Sequence, residues 1–485
     1  MNLSFSYLLM IIGIVLVKCL GFVRELYLAK NFGASVMMDT YFQVFSVASV
    51  IFTAVGVALS TFVIKSINKT NSINEKEFVG IFFKKAIIWS IAAMAVLYVL
   101  SYPITKLLLP GLNDSDFQNA LKLFYMMLPS FLFIILTYTS MGLLQNKNKF
   151  FITSIVSLPF NVLIITGLLF GINNIFSLGI VTTLGWMAHF LFLLPSLLKQ
   201  NYRFWSRTKE KISLNTVKPF DIVFIFISNI VFQLLFIIDK AFASTNEGMA
   251  STIQYSSTLF ITVSSIFLVA MSAVFFPSIT KAIADQNENK LGNLVKYALT
   301  FMFALFIPFL VVVSLYNRDI ISLLYGRGKF DAEAVTLVST AFLIYSFSIF
   351  GYITQELVFK IFYAKEKFKL TVFSSISVVL LNVVLNTVFK NSFIGIIAST
   401  TGICIVFAGV MFYWLSKEVP NLFTTKFLKN ILVILLGSSS FLAMFFIAKL
   451  FLGFQNKFMF LTPIILGFAV YLYVLHYSGI LKLII

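Results

Sequence analysis

A chain of 485 residues that is 60% hydrophobic and only 11% charged, with a mean hydropathy of +0.98, is not a soluble globular domain. Its formal net charge of +18 would suggest nucleic acid in a soluble protein. On so apolar a chain it points instead to lysine-rich loops on the cytoplasmic side of a membrane, and no nucleic-acid partner is expected.

A membrane-spanning helix takes about 20 mostly apolar residues. That requirement predicts fourteen spans, at 5–30, 38–65, 84–108, 119–145, 150–171, 175–198, 219–242, 251–281, 292–316, 333–362, 369–389, 393–415, 426–450 and 457–479. The N-terminus lacks a basic leader and a small-residue cleavage site, so it reads as the first span and not as a removed signal peptide. With the N-terminus cytoplasmic, 24 of the 36 Lys and Arg fall in inner loops, which places both termini in the cytoplasm. The preference for lysine, with abundant Phe, Ile and Asn, fits an AT-rich bacterial genome and hence a bacterial inner membrane. The stretch Lys199–Lys211, with Tyr202 and Trp205, reads as an interfacial anchor.

An internal repeat divides the chain. Lys147-Asn-Lys-Phe-Phe-Ile-Thr153 and Lys365-Glu-Lys-Phe-Lys-Leu-Thr371 each follow an apolar span, and each precedes a helix carrying Asn-Val, at Asn161 and Asn382. The expected fold is an all-α integral membrane protein of about fourteen transmembrane helices. It comprises two pseudo-repeated six-helix bundles, 1–218 and 219–416, plus two C-terminal helices in 417–485. Paired bundles around a central site are a transporter plan.

The first span carries charges that a lipid-facing helix does not. At about 100° per residue, Lys18, Gly21, Arg24 and Glu25 fall within one sector roughly 120° wide. A charge near the bilayer centre costs about 3 kcal/mol on insertion scales, so such residues face a bundle interior or a water-filled cavity. His189 and His476 stand alone and read as packing or interfacial residues. Glu356 and Lys360, spaced i, i+4, read as an ion pair. Cys19 and Cys404 lie in apolar spans and imply neither a disulfide framework nor a metal site. There is no HExxH, GxSxG or Walker A loop, and the connections are too short for a catalytic domain, so no enzyme activity, catalytic residue or metal centre is expected.

The motifs resemble one family. Gly21–Ser35 (GFVRELYLAKNFGAS) followed by Asp39, and ALSTFV at Ala58–Val63, are similar to the opening of the MurJ/MviN lipid II flippases. These belong to the multidrug/oligosaccharidyl-lipid/polysaccharide exporter superfamily. Leu143–Phe150 with Pro159 and Asn161, Phe267–Pro277, Leu324–Phe330, and Phe362–Ala364 with Asn382–Asn386 continue the likeness in order. The resemblance implies a cavity that admits a lipid diphosphate headgroup while the polyprenyl tail stays in lipid. It carries over Arg24, Ala29 and Asp39, with Lys18 where the family often has arginine. Arginine binds phosphate oxygens in a bidentate way and lysine acts as a point charge; Glu25 and Asp39 hold those cations when the cavity is empty.

The resemblance also implies a candidate cation site. In some relatives a seventh-span aspartate joins polar residues of later spans around sodium, which here selects Asp239, Asn382 and Asn386. The competing reading is an interfacial Asp239–Lys240 pair with helix-packing asparagines. No cofactor is expected beyond Na+ or the membrane potential as driving force. The sequence departs from the family where Ser46–Ala58 carries no charge and where Ser257 and Thr258 replace an Asp-Arg pair. That departure keeps a second substrate class open: another undecaprenyl-diphosphate-linked saccharide, of capsule, O-antigen or exopolysaccharide type. A cation-coupled multidrug antiporter would want an acidic first span, and this one is basic. Expected partners are the lipid-linked saccharide, membrane lipids, and cell-wall or polysaccharide synthesis enzymes.

Overall fold

The computed structural model describes residues 3–51, 75–202, 230, 233–365, 367–419, 422–451 and 459–481. The Ala58–Val63 motif, the basic stretch from Arg203 with Trp205, and Lys65, Lys69, Glu366, Lys457 and Lys482 lie outside them. Among the described residues there are helices and no strand. They are α1 (Leu3–Phe32), α2 (Val36–Ser46), α3 (Glu75–Leu108), α4 (Asp114–Met127), α5 (Ser130–Asn146), α6 (Phe150–Ser154), α7 (Leu158–Leu169) and α8 (Ile175–Leu198). After the helical segment 233–243 come α9 (Met249–Ala284), α10 (Glu288–Tyr325), α11 (Ala332–Ala364), α12 (Phe368–Val388), α13 (Phe393–Glu418), α14 (Thr425–Phe451) and α15 (Leu461–Tyr477).

Nine of the described helical stretches are long and apolar enough to cross a membrane, so the chain is a multi-pass membrane protein. Two predicted spans are broken where a single helix was expected. The span 119–145 is interrupted between α4 and α5 at Leu128-Pro129, and the span 150–171 between α6 and α7 just before Pro159. Proline lacks the amide a helix needs and crowds the preceding turn, so each apolar run continues with a break in its ladder. Five helix starts are capped by side chains. Asn113, Asn174, Asn287, Asp331 and Ser392 each accept a hydrogen bond from a backbone N–H of the first turn that follows.

The chain divides into two compact units. The first comprises Met1–Gln254 with Ser375–Lys390, the second Tyr255–Ser374 with Asn391–Ile485. In the first, α1 packs on α6 and α7, α5 and α7 pack on α8, and α3 packs on α5. Its core includes Phe83, Leu144, Leu193 and Leu197. The approach of α1 to α6 needs Gly13, because a Cβ there would stand 2.3 Å from Ser154 Oγ. Outward-facing side chains such as Trp89, Val99 and Phe170 are exposed apolar groups, as lipid contact requires.

In the second unit α11 packs against α10 and α13, and α14 against α10 and α15. The crossing of α11 and α13 is tight: a Cβ on Gly351 would lie 2.3 Å from the carbonyl oxygen of Cys404. Small residues let membrane helices approach this closely. Gly351→Ala must push α13 away, an overpacking cost of about 1–3 kcal/mol. Cys404, buried and in no disulfide, reports the outcome. Its reaction with a thiol-sensitive dye on heating is expected at a lower temperature in Gly351→Ala than in wild type, and an unchanged midpoint would contradict this packing.

The repeated loop motif behaves alike in both copies. Lys147 Nζ pairs with Glu75 at 2.9 Å, and Tyr202 donates to the same carboxylate at 2.6 Å. Lys365 Nζ pairs with Glu418 at 3.0 Å, joined there by Lys367. Each copy thus ties a loop to the end of a neighbouring helix through a glutamate.

Candidate functional site

Arg24 is the centre of the polar face of α1. Its Nη2 donates to Glu25 Oε1 at 2.6 Å and its Nη1 to Asn161 Oδ1 at 3.3 Å, across 137 residues of sequence. The guanidinium carbon lies 5.3 Å from the centroid of Phe160 and 5.7 Å from that of Phe45, within cation–π range. Glu25 is buried and Arg24 partly so. Glu25 Oε2 and Arg24 Nε have no hydrogen-bond partner. A planar cation held on two aromatic faces, with donor capacity to spare, is suited to a planar or tetrahedral oxyanion.

The other residues singled out from the sequence are not all brought to Arg24. Lys18 lies on the same helix and lines a cavity of about 400 Å³ with residues of α5, α6 and α8. Glu25 holds Arg24 as expected. Ala29 is completely buried, offers no polar group beyond its backbone, and its carbonyl accepts from Gly33 N at 2.8 Å. Among the described residues Asp39 pairs with no Lys or Arg. Its Oδ1 accepts from Ser251 N at 2.5 Å and its Oδ2 from Gly248 N at 2.8 Å, so it caps the start of α9 from 209 residues away. The correction has a clear physical reason: the first N–H groups of a helix are unpaired and carry the positive end of its dipole, a ready partner for a carboxylate.

Asp239, Asn382 and Asn386 do come together. Asp239 Oδ1 accepts from Asn386 Nδ2 at 2.7 Å and from Asn382 Nδ2 at 3.4 Å, and all three residues are buried. Asn386 Oδ1 has no hydrogen-bond partner. Both asparagines turn their amide N–H groups to the carboxylate, and Asn382 Oδ1 accepts from Asn386 Nδ2 at 3.5 Å. Lys240, next in the chain, is buried as well and directs its ammonium to Ser46 and Gln254.

Lys240 is the residue the sequence reading missed. Read from the sequence only as one half of an interfacial pair, it is buried, and its ammonium donates to Ser46 Oγ and, at 2.8 Å, to Gln254 Oε1. The available signal was the apolar Ala241-Phe242-Ala243 immediately after it, which carries the helix onward. Arg327 serves loop architecture: Nη2 donates to Leu324 O at 2.8 Å beside Gly328 at φ +66°. Lys360 Nζ sits 5.3 Å from the Phe276 ring centroid. In the second unit a cavity of about 430 Å³ is lined by apolar groups including Phe267, Phe301, Pro308, Phe441 and Phe468.

Comparison with known proteins settles the family. The profile described as Lipid II flippase MurJ matches residues 28–472. The chain belongs to the MurJ family. Lipid II flippase MurJ of Burkholderia cenocepacia is 25% identical over 413 residues, covering 80% of this chain and 78% of that protein. A probable lipid II flippase MurJ of Buchnera aphidicola from Schizaphis graminum is 23% identical, with 99% and 98% covered. Among solved structures, lipid II flippase MurJ in an inward closed conformation has a TM-score of 0.84 at 23% identity, covering 97% of this chain and 99% of that one. An inward-facing multidrug transporter of the MATE family reaches 0.62 at 14% identity, with 84% and 96% covered. The MurJ fold is therefore the fold of this chain.

Proposed function

We propose that this MurJ-family protein moves lipid II from the inner to the outer leaflet of a bacterial cytoplasmic membrane by alternating access, with both termini in the cytoplasm. Arg24 carries the reading. A diphosphate headgroup needs a cation that stays charged in a low-dielectric setting, and the guanidinium on Phe45 and Phe160 is one whose counterion, Glu25, can yield it to a stronger anion. Asp39 acts as a latch: while its carboxylate holds the Gly248 and Ser251 amides, the start of α9 is tied to α2. The apolar cavity among α9, α10, α14 and α15 suits part of a polyprenyl chain. The delivered product would serve enzymes that build cell wall.

The energy source in this reading is Na+ bound by Asp239, Asn382 and Asn386, or the membrane potential, which is worth about 2.3 kcal/mol per charge per 100 mV. The deciding assay is flipping of labelled lipid II in proteoliposomes, with complementation of a host depleted of its own flippase. Wild type is expected to flip and to rescue. A folded protein that flips other undecaprenyl-diphosphate-linked saccharides and not lipid II would move the assignment to capsule or O-antigen units. Replacing Na+ by K+ is expected to slow wild type and to leave Asn386→Ala unchanged. Equal rates of wild type in both salts would remove Na+ from the scheme.

A further inference from the structure

Handing Arg24 to a phosphate strands its counterion. Glu25 is 1% exposed, its Oε1 is held by Arg24 Nη2, and its Oε2 has no hydrogen-bond partner. An ionised carboxylate enclosed by protein and stripped of its cation is costly. A substrate anion that draws the guanidinium away must overcome that cost, unless a second cation stands ready for Glu25. Lys240, in the helical segment 233–243 of the same unit, is such a cation. It is 2% exposed and donates to two neutral acceptors, Ser46 Oγ at the end of α2 and Gln254 Oε1 of α9. An ammonium has three N–H groups, so one is left over. Lys240 forms no ion pair among the described residues, although a lysine this buried is ordinarily paired. The Glu25 carboxylate pulls on this ammonium more strongly than that of Asp239, its neighbour in the chain.

Glu25 thus stands in contact with one cation and in the field of another, with an unpartnered oxygen on its side and an unpartnered N–H on the other. We infer that Glu25 changes partners: when the substrate diphosphate takes Arg24, the Glu25 carboxylate turns to Lys240, and the Lys240 ammonium lets go of Ser46 and Gln254. The inference rests on the reading of Arg24 as the headgroup cation. Lys240 is a positioning residue in this scheme and never touches the substrate. Its release has a mechanical consequence. Ser46 lies about two turns beyond Asp39 on α2, and Gln254 about one turn beyond Ser251 on α9. The Lys240 bridge and the Asp39 carboxylate therefore tie the same two helices together. A headgroup at Arg24 opens the first tie and leaves Asp39 to hold the corner alone, so occupancy at α1 is signalled to the contact of α2 with α9.

The test is a double-mutant cycle on full-length protein in nanodiscs, read as the Kd for lipid II and for undecaprenyl diphosphate. Lys240→Met is expected to weaken binding at least about tenfold, because Glu25 then has no cation to move to, and Lys240→Arg to restore it. In a Glu25→Gln background, with no carboxylate to rehouse, Lys240→Met is expected to change nothing. Amide exchange over residues 246–254 is the second readout, and in wild type it needs no variant to fold. Lipid II is expected to accelerate it in wild type and to leave it unchanged in Lys240→Met. Wild-type exchange that ignores bound lipid II overturns the partner change. So does Lys240→Met that binds as wild type does, or that weakens binding equally in both backgrounds. Each of these leaves flipping of lipid II by wild type untouched. The expected cycle obtained with undecaprenyl diphosphate, in a protein that does not flip lipid II, keeps the partner change and removes the lipid II assignment. A wild type that binds neither ligand removes both.

Discussion

The double substitution Arg24→Gln with Glu25→Gln is expected to leave a folded protein that no longer flips lipid II. Breaking only one side of this pair strands a buried charge, at a cost of about 3–5 kcal/mol, so Arg24→Ala alone mixes misfolding with loss of the headgroup contact. Neutralising both partners together avoids the stranded charge. Two glutamines retain the size of the pair and can still reach Asn161, which accepts from Arg24 at 3.3 Å in wild type. What disappears is the charge-assisted grip on phosphate, worth about 1.5–3 kcal/mol for each hydrogen bond to a charged group. At about 1.4 kcal/mol per decade, apparent affinity or rate falls at least about tenfold for one lost bond, and further for a bidentate pair. Thermal unfolding near the wild-type temperature together with lost flipping is the expected combination. A double variant that flips at the wild-type rate would show that the headgroup is held elsewhere.

Asp39→Ala is expected to be the most damaging single change to the architecture. It leaves the Gly248 and Ser251 amides, now held at 2.8 and 2.5 Å, unpaired in a buried place. Each lost charge-assisted bond costs about 1.5–3 kcal/mol, and the positive end of the α9 dipole loses its counter-charge. Gly248 itself admits no side chain, since it has φ +75° and a Cβ there would stand 2.9 Å from the carbonyl oxygen of Ala34. Amide exchange over residues 246–254 is expected to accelerate at least tenfold in Asp39→Ala, with a smaller effect in Asp39→Asn, which keeps one acceptor oxygen. Unaltered exchange in that segment would mean the carboxylate does not hold it.

Helical class, membrane residence and the polar face of α1 were legible in the sequence because they rest on periodicity and the cost of charge in lipid. The pairing of Arg24 with Glu25 follows from adjacency on one sector. Its bond to Asn161 was foreshadowed only as an Asn-Val mark in the repeat, although both marked asparagines reach a charged side chain, Asn161 at Arg24 and Asn382 at Asp239. Asp39 as a helix cap was not legible: nothing local tells a carboxylate that its partners are amides some 200 residues on. The hydrogen bonds of Lys240 to Ser46 and Gln254 were not legible because a lysine near a span end is ordinarily solvated. The breaks at Pro129 and Pro159 were missed for a different reason, since hydropathy continues across a proline that interrupts the hydrogen-bond ladder.

The bond from Asp239 to Asn382 and Asn386 sets a requirement on biogenesis. The aspartate leaves the ribosome 143 residues ahead of the first asparagine that meets it. At about 5–20 residues per second, that interval lasts on the order of ten seconds. Throughout it the carboxylate lacks these two amides, and their contact closes only once the later helix has inserted beside it. Slowed translation upstream of Asn382 lengthens that interval.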